Sequence, residues 1–184
     1  MSTIDSHSSR NARNYSKREM LLRALWMIGK VLFLMLPKPF YKTRNAILRC
    51  FGANIGKNVQ ISNTASIFLP WMLELGDWCS LGDSVVMYNL GFVKVGRDTT
   101  ISQRAHICAG THDYTDPTSK LLRCEVSIES KVWICADAFV GPNVNVSEGA
   151  VVGARCVVVK DVAKWTVVGG NPAREIGVRR IRKG

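Results

Sequence analysis

Branched aliphatic residues recur every six positions along most of this chain, between residues 55 and 158. Earlier frames start at Ile55, Leu75 and Val95, and the clearest frame reads Ile128, Ile134, Val140, Val146, Val152 and Val158. A small residue commonly follows the aliphatic position directly or four residues later. A fixed short period indicates stacked repeating units, whereas strands of an ordinary sandwich recur about every 8–12 residues without a six-residue phase.

The hexads predict a triangular solenoid. One large inward residue per side, followed by a sharp bend that tolerates Gly, gives a coil of about eighteen residues. Coils of this kind stack as parallel strands about 4.8 Å apart, so we expect an all-β repeat of about five coils over residues 51–163. The first three frames start twenty residues apart, but thirty-three residues separate Val95 from Ile128. An inserted loop is therefore predicted at 113–127, where binding residues tend to concentrate.

The segments outside the repeat have a different character. Residues 1–19 are predicted to form a polar flexible tail, 20–50 a helical segment, and 164–184 a C-terminal tail. The apolar stretch 20–36 is interrupted by Arg23 and Lys30 and is short for a membrane span of about twenty residues. Two interpretations remain open: the helix caps the open end of the solenoid, or it lies in a membrane interface with the basic residues of 1–36 beside anionic lipid.

Charge is concentrated in these flanking segments. The net charge is +11, yet residues 51–163 contain nine Lys and Arg against eleven Asp and Glu. This distribution favours an anionic small ligand or a membrane surface as partner, and it argues against a nucleic-acid groove along the repeat. The six cysteines form no CxxC pair, as expected for reduced thiols in a cytoplasmic protein, and Cys79 and Cys156 occupy small inward positions. We therefore expect a cytoplasmic location, at the inner face of the cytoplasmic membrane if the N-terminal segment contacts lipid.

Five segments carry a resemblance to a known family. They read LRCFGANIG at 48–56, GTHDY at 110–114, VWI at 132–134, KDV at 160–162 and GGNPAR at 169–174. With the hexads, they make residues 41–174 resemble the hexapeptide-repeat acyltransferases, and among these the acetyltransferases of colanic-acid-type exopolysaccharide biosynthesis. The resemblance implies a left-handed parallel β-helix, which departs from the usual right-handed crossover. It also implies a homotrimer with acetyl-CoA, as co-substrate, in a groove between adjacent subunits.

The catalytic candidate is a histidine. Of three histidines, His7 lies in the polar tail and His106 at an outward hexad position, whereas His112 stands where the inserted loop departs. The resemblance makes His112 the general base, and imidazole is suited to remove a hydroxyl proton near neutral pH. Asp113 could orient His112 or bind acceptor hydroxyls, and the second is favoured because adjacent side chains on a strand point apart. Tyr114 is a further acceptor-binding candidate.

Asn89 has two interpretations, since the resemblance gives it an acceptor contact and its sequence context a role in a turn.

The cofactor candidates also follow from the resemblance. Lys160, Lys164 and Arg174 form a basic cluster for the phosphates of CoA, while Ala136 and Ala154 let pantetheine lie against the backbone. The turn at Gly170 and Pro172 brings the tail across the cofactor. Trp133 either forms the wall of the groove at its acetyl end or packs in the interface between subunits. Cys135 stands where the family usually has Gly, which leaves the pantetheine contacts there undefined.

These observations predict an O-acetyltransferase that moves an acetyl group from acetyl-CoA to a sugar hydroxyl in exopolysaccharide biosynthesis. Alternative acceptors are an oligosaccharide, an antibiotic or an amino group on another small molecule. A metal enzyme on the same scaffold, like the γ-type carbonic anhydrases, would need about three protein ligands for zinc, and only two histidines are usable. We therefore expect no metal. A non-catalytic repeat protein that binds a partner through its loop is the remaining alternative.

Overall fold

The hexad segment forms three sheets of short parallel strands that enclose a triangular core in the computed structural model, which describes residues 15–182. The first face contains β1 (Asn54–Ile55), β4 (Leu73–Leu75), β7 (Val93–Val95), β12 (Val126–Ile128) and β15 (Asn145–Val146). The second face contains β2 (Gln60–Ile61), β5 (Ser80–Leu81), β8 (Thr100–Ile101), β13 (Trp133–Ile134), β16 (Val151–Val152), β18 (Thr166–Gly169) and β19 (Arg174–Val178). The third face contains β3 (Ser66–Ile67), β6 (Val86–Tyr88), β9 (His106–Cys108), β14 (Phe139–Val140) and β17 (Val157–Val158).

The predicted solenoid is confirmed, and its arrangement is consistent with a left-handed coil. The hexad frames stack in register, since Ile55 pairs beside Leu75, Leu75 beside Val95, and Val95 beside Ile128. Each of these residues is at most 5% exposed, so one aliphatic side chain per strand fills the core. The hydrophobic contribution of this stack is the main stabilising term of the fold.

The number of coils is nearer six than the predicted five, because the C-terminal segment 164–184 is not a simple tail. β18 continues the second face in parallel with β16, and β19 then pairs antiparallel with β18. Val151 pairs with Val167 after sixteen residues, whereas Trp133 pairs with Val151 after eighteen. The last coil is therefore shorter than the others. Its inward residues fall out of the six-residue phase, so the hexad pattern did not predict it.

The sequence pattern suggested glycine at the bends of the prism, but most residues with a positive φ angle at these corners are not glycine. Positive φ angles stack at one corner, at Asn58, Trp78, Asp98, Lys131, Gly149 and Trp165, with values from 55° to 71°. The glycine that follows an inward aliphatic residue serves close approach instead. A Cβ on Gly76 would lie 2.6 Å from the backbone nitrogen of Arg97 in the next coil. Glycine at this position therefore lets two coils touch.

Two helices close the N-terminal end of the prism. Helix α1 (Lys17–Met35) buries Trp26, Gly29 and Phe33, and the indole nitrogen of Trp26 donates to the carbonyl of Ile67 at 3.0 Å. After a 3₁₀ turn (Lys38–Phe40), helix α2 (Tyr41–Cys50) places the buried Arg44 against the carbonyl of Ile61.

The interpretation of this helix as a cap of the solenoid therefore holds for the side of α1 that faces the core. The helix begins inside the segment predicted as tail, while residues 1–14 lie outside the described part of the chain. Within 15–182, neither helix combines the length and apolar content needed to cross a bilayer.

The inserted segment is a β-hairpin rather than an irregular loop over 113–127. Strand β10 (Gly110–His112) pairs antiparallel with β11 (Leu121–Arg123), with His112 opposite Leu121. The irregular part is thus confined to 113–120, and β12 resumes the first face at Val126. A second excursion, the 3₁₀ turn Pro70–Met72, leaves the first coil.

Candidate active site

His112 lies at the tip of β10 with its side chain exposed. Its Nδ1 atom is 2.6 Å from the backbone carbonyl oxygen of Ser119, across the hairpin turn. A carbonyl oxygen only accepts hydrogen bonds, so this contact requires the proton to be on Nδ1 in the neutral ring. Nε2 then carries the lone pair and can accept a proton from a hydroxyl group, as a general base must.

The turn that supplies this carbonyl is held by its own hydrogen bonds. Ser119 has a φ of 49°, and its N–H donates to the carbonyl of Asp116 at 2.8 Å. The carboxylate of Asp116 accepts from the N–H and hydroxyl of Thr118, at 2.7 and 2.8 Å. The orientation of the imidazole is therefore fixed before any substrate binds. This partner could not be predicted from the sequence, since a backbone carbonyl can belong to any residue type.

Asp113 does not orient His112 in this geometry. Its carboxylate accepts from the hydroxyl and the N–H of Thr115, at 2.6 and 2.9 Å. These bonds hold the pKa of Asp113 below its ordinary value, so the group is ionised at neutral pH. Tyr114 is 94% exposed at the same turn. Both residues flank His112 on the surface, and their role toward an acceptor stays a prediction.

Asn89 occupies a buried corner rather than the surface. Its side chain is 0% exposed, and its Oδ1 atom accepts from the N–H groups of Phe68 and Leu69, at 3.1 and 3.2 Å. Its Nδ2 atom donates to the carbonyl of Leu69 at 2.6 Å. The amide thus ties the excursion of the first coil to the second coil. This geometry favours the turn interpretation of Asn89 over the acceptor contact.

The residues predicted for pantetheine form a column of small side chains. The register of β13, β16 and β18 stacks three pairs of residues along the edge between the second and third faces. These pairs are Cys135 with Ala136, Gly153 with Ala154, and Gly169 with Gly170. We call this set the small-residue edge. Burial raises the pKa of the Cys135 thiol, so Cys135 contributes a neutral side chain where the family usually has Gly.

Trp133 stands on the outer side of the second face, next to the small-residue edge. Its side chain is 46% exposed, and its indole nitrogen donates to the hydroxyl of Ser102 at 3.0 Å. The hydrogen bond holds the ring against the third coil. Either predicted role, a groove wall or a subunit seam, uses this exposed side of the ring.

The basic cluster predicted for the phosphates is only partly assembled. Lys160, Pro172 and Arg174 line one open cavity of about 400 Å³ at the C-terminal end of the prism, together with Asp161 and Glu175. The lining of this cavity thus contains two carboxylates as well as two cationic side chains. Lys164 does not line this cavity. It lies near Glu148, whose pKa is lowered first by its hydrogen bond with Lys131 and more weakly by Lys164. A corner of the prism separates Lys164 from the other two residues of the predicted cluster, and its contact with the CoA phosphates stays a prediction.

His112 and the small-residue edge lie at opposite sides of the third face. The edge precedes that face in every coil, and the hairpin leaves after it. A whole side of the prism therefore lies between them, and six extended residues at about 3.3 Å each are roughly 20 Å long. A single chain therefore does not bring the base to this edge.

His106 lies on the third face, between these two regions. It stands between the rings of Tyr88 and Phe139, with centroid distances of 6.3 and 5.3 Å. Burial lowers its pKa, and its Nε2 atom is buried without a hydrogen-bond partner in the described chain. Among residues 15–182, no three His, Cys, Asp or Glu side chains are grouped so that they could hold a metal ion.

Comparison with known proteins gives the family of the chain. It is 39% identical over 148 residues to a protein of Escherichia coli K12 that carries the provisional name colanic acid biosynthesis acetyltransferase WcaF. The match covers 80% of this chain and 81% of that protein. No family model matches the chain.

Solved structures share the fold at lower sequence identity. A maltose O-acetyltransferase from Clostridium difficile 630 superposes with a TM-score of 0.79 at 21% identity, covering 98% of this chain and 99% of that one. A hexapeptide-repeat acetyltransferase of Vibrio cholerae O1, determined with acetyl coenzyme A bound, gives 0.81 at 22% identity, covering 90% and 91%. The fold and the 39% identity together show that the chain belongs to the hexapeptide-repeat acetyltransferases, in the family of the E. coli protein WcaF.

Proposed function

We propose that this acetyltransferase moves the acetyl group of acetyl-CoA to a sugar hydroxyl in exopolysaccharide biosynthesis, with His112 as general base. The name of the E. coli relative supports the polysaccharide context, and the maltose O-acetyltransferase supports a sugar hydroxyl as acceptor. The observation that carries the proposal is the 2.6 Å contact between Nδ1 of His112 and the carbonyl of Ser119.

The chemistry follows from that contact. Nε2 of His112 removes the proton of the acceptor hydroxyl as its oxygen attacks the carbonyl carbon of the thioester. The tetrahedral intermediate collapses, the carbon–sulfur bond breaks, and the CoA thiolate recovers the proton from the imidazolium. The bond to Ser119 stabilises the imidazolium, because Nδ1–H remains a donor in both protonation states. The cycle needs no covalent intermediate on the protein.

The small-residue edge is the proposed seat of the pantetheine arm of acetyl-CoA. Its alanines and glycines leave the backbone accessible over three successive coils, and the arm is a narrow, mostly extended chain. The cavity lined by Lys160, Pro172 and Arg174 lies at the same end of the prism and would receive the phosphates. Charge-assisted hydrogen bonds from the lysine and the arginine suit phosphate oxygens.

The separation of these parts supports a homotrimer. Because a whole side of the prism separates His112 from the small-residue edge of its own chain, a second protomer would supply one of the two. In a cyclic trimer, one edge of each protomer packs on a different edge of its neighbour. We propose three equivalent sites, each combining His112 of one protomer with the small-residue edge of the next.

We further propose a cytoplasmic enzyme held at the inner face of the membrane. The cysteines of the described chain are all unpaired, as is usual in the cytosol. Helix α1 buries three residues, but most of its other apolar side chains are exposed, among them Met27 at 71%, Ile28 at 65% and Met35 at 75%. Residues 15–50 contain eight Lys and Arg against one Glu. Exposed apolar side chains with basic neighbours suit an anionic lipid interface.

The experiment is an acceptor screen that measures release of the CoA thiol from acetyl-CoA. Free sugars, nucleotide sugars, lipid-linked oligosaccharides, chloramphenicol and amino sugars are compared at equal concentration. We expect turnover with a sugar that presents a free hydroxyl, and an ester product that hydroxylamine cleaves. Transfer only to amines, or no turnover with any acceptor, would contradict the proposal.

A further inference from the structure

The hairpin that carries His112 has little support of its own. Leu122, Arg123 and His112 are exposed, and only two strands pair in it. A two-stranded ribbon is marginally stable in water without packing against another element. A base that must be held in one position therefore needs a contact from outside the hairpin.

That contact comes from the first turn of α1. The carboxylate of Glu19 accepts from one guanidinium nitrogen of Arg123, with its two oxygens at 3.0 and 2.9 Å. Arg23 donates to the same carboxylate at 3.0 and 3.1 Å. The Glu19 side chain is only 14% exposed, so water screens these ion pairs less than it would on an open surface. Arg123 lies opposite Gly110 on β10, two residues before His112.

Glu19 is itself firmly placed. Its backbone N–H donates to the hydroxyl of Ser16, which caps α1, at 3.1 Å. In a capping box the glutamate side chain usually returns to the cap residue, but here it turns to Arg23 and Arg123. Further along α1, Trp26 and Phe33 lie in the core, at 4% and 2% exposed. The carboxylate therefore projects from an element that is fixed to the prism.

Tyr15 adds a second contact between the same partners. The guanidinium of Arg23 lies 4.0 Å from the centre of its ring and that of Arg123 lies 5.4 Å from it. Both distances are in the range of cation–π attraction. The phenol ring thus joins the two arginines that hold Glu19.

We infer that Glu19 is a positioning residue, which anchors the hairpin to α1 through Arg123 and thereby holds His112 where it acts. This inference rests on the proposed role of His112. It makes the N-terminal helix part of the catalytic apparatus, because the element that closes the prism also fixes the base.

The test compares Glu19→Gln, Arg123→Gln and the double variant in the full-length protein. We expect each to lower kcat about ten-fold, since a small misplacement of a catalytic group has a large effect on rate. The KM for acetyl-CoA should stay within about two-fold, because its proposed site is elsewhere. The double variant should lose no more than the worse single variant, as for two residues that act through one contact. Glu125→Gln, which removes an exposed carboxylate just beyond the hairpin, is the matched control and should keep the wild-type kcat.

Amide hydrogen exchange supplies a readout that does not depend on catalysis. Glu19→Gln should speed exchange in residues 110–123 and leave the coils unchanged. Unchanged exchange there, a wild-type kcat in Glu19→Gln, or an equal loss in Glu125→Gln would each overturn the inference. If His112→Ala proved active, the base proposal would fail, while the exchange measurement would still decide whether the anchor exists.

Discussion

The imidazole of His112 and the backbone carbonyl of Ser119 face each other across the hairpin turn, with 2.6 Å between Nδ1 and the oxygen. The contact fixes the tautomer of the ring and depends on a left-handed residue, because Ser119 has a φ of 49°. A residue without a branched Cβ tolerates this conformation, whereas a β-branched residue is strained there.

Substitutions at Ser119 should separate backbone geometry from side-chain chemistry. We expect Ser119→Gly to keep near wild-type activity, because glycine readily adopts positive φ. Ser119→Val should move the carbonyl and lower kcat by about ten-fold. Steady-state kinetics of the two variants provide the measurement. Equal activity in both would mean that the carbonyl does not control the ring.

Mixing of two inactive variants tests whether the site is shared between protomers. His112→Ala lacks the base, and Ala154→Phe blocks the small-residue edge. In randomly mixed trimers, about a quarter of the sites combine an intact His112 with an intact edge from the neighbour. Refolding the two proteins together should therefore restore about a quarter of the wild-type activity. A mixture as inactive as its parents would place both functions in one chain.

The exposed side of α1 predicts binding to anionic lipid. Deletion of residues 1–36 is a poor test, because Trp26 and Phe33 belong to the core. The pair Met27→Glu and Val31→Glu changes only exposed positions, at 71% and 54%. We expect this double variant to lose sedimentation with vesicles that contain phosphatidylserine. Ile176→Glu, at a 69% exposed position on β19, should bind like the wild type. Equal vesicle binding by the wild type, the double variant and Ile176→Glu would show that the exposed side of α1 does not bind lipid.

Glycines of the solenoid should differ in their tolerance of a methyl group. The added Cβ of Gly76→Ala would meet backbone atoms of the next coil at 2.6 Å, whereas at Gly177 nothing lies within 4 Å. We expect Gly76→Ala to lower the free energy of unfolding by about 1–3 kcal/mol through overpacking. Gly177→Ala should change it by less than about 0.5 kcal/mol. Urea unfolding at one fixed protein concentration makes the comparison, and similar losses would contradict the close-approach account.

Periodicity predicted the parts of this fold that repeat. Ile134 and Val140 lie in the core because each occupies the single inward position of its side, and that position is legible in the sequence. Thr166 and Val168 escaped the pattern because the last coil has sixteen residues where the others have eighteen or more. The sequence predicts a loop where the hairpin lies, because Leu121 and Leu122 pair with β10 and lie outside the core.

The site could be predicted only where it depends on residue type. His112 is recognisable as an imidazole beside an insertion, but its partner at Ser119 is a backbone atom. Contacts between distant segments were equally hidden, as in the pair of Glu19 and Arg123, which are 104 residues apart. The resemblance groups Lys164 with Lys160, although a corner of the prism lies between them. The role of Asn89 could not be predicted either, because it depends on whether the side-chain amide is buried.

The most direct test of the account is the rate of His112→Ala with acetyl-CoA and the acceptor found in the screen. Loss of a positioned base should lower kcat at least about a hundred-fold, while the dissociation constant for acetyl-CoA and the thermal midpoint stay near wild type. Calorimetric titration and melting curves on the same preparation check the last two points. A variant that binds acetyl-CoA normally and retains near wild-type kcat would show that His112 is not the base.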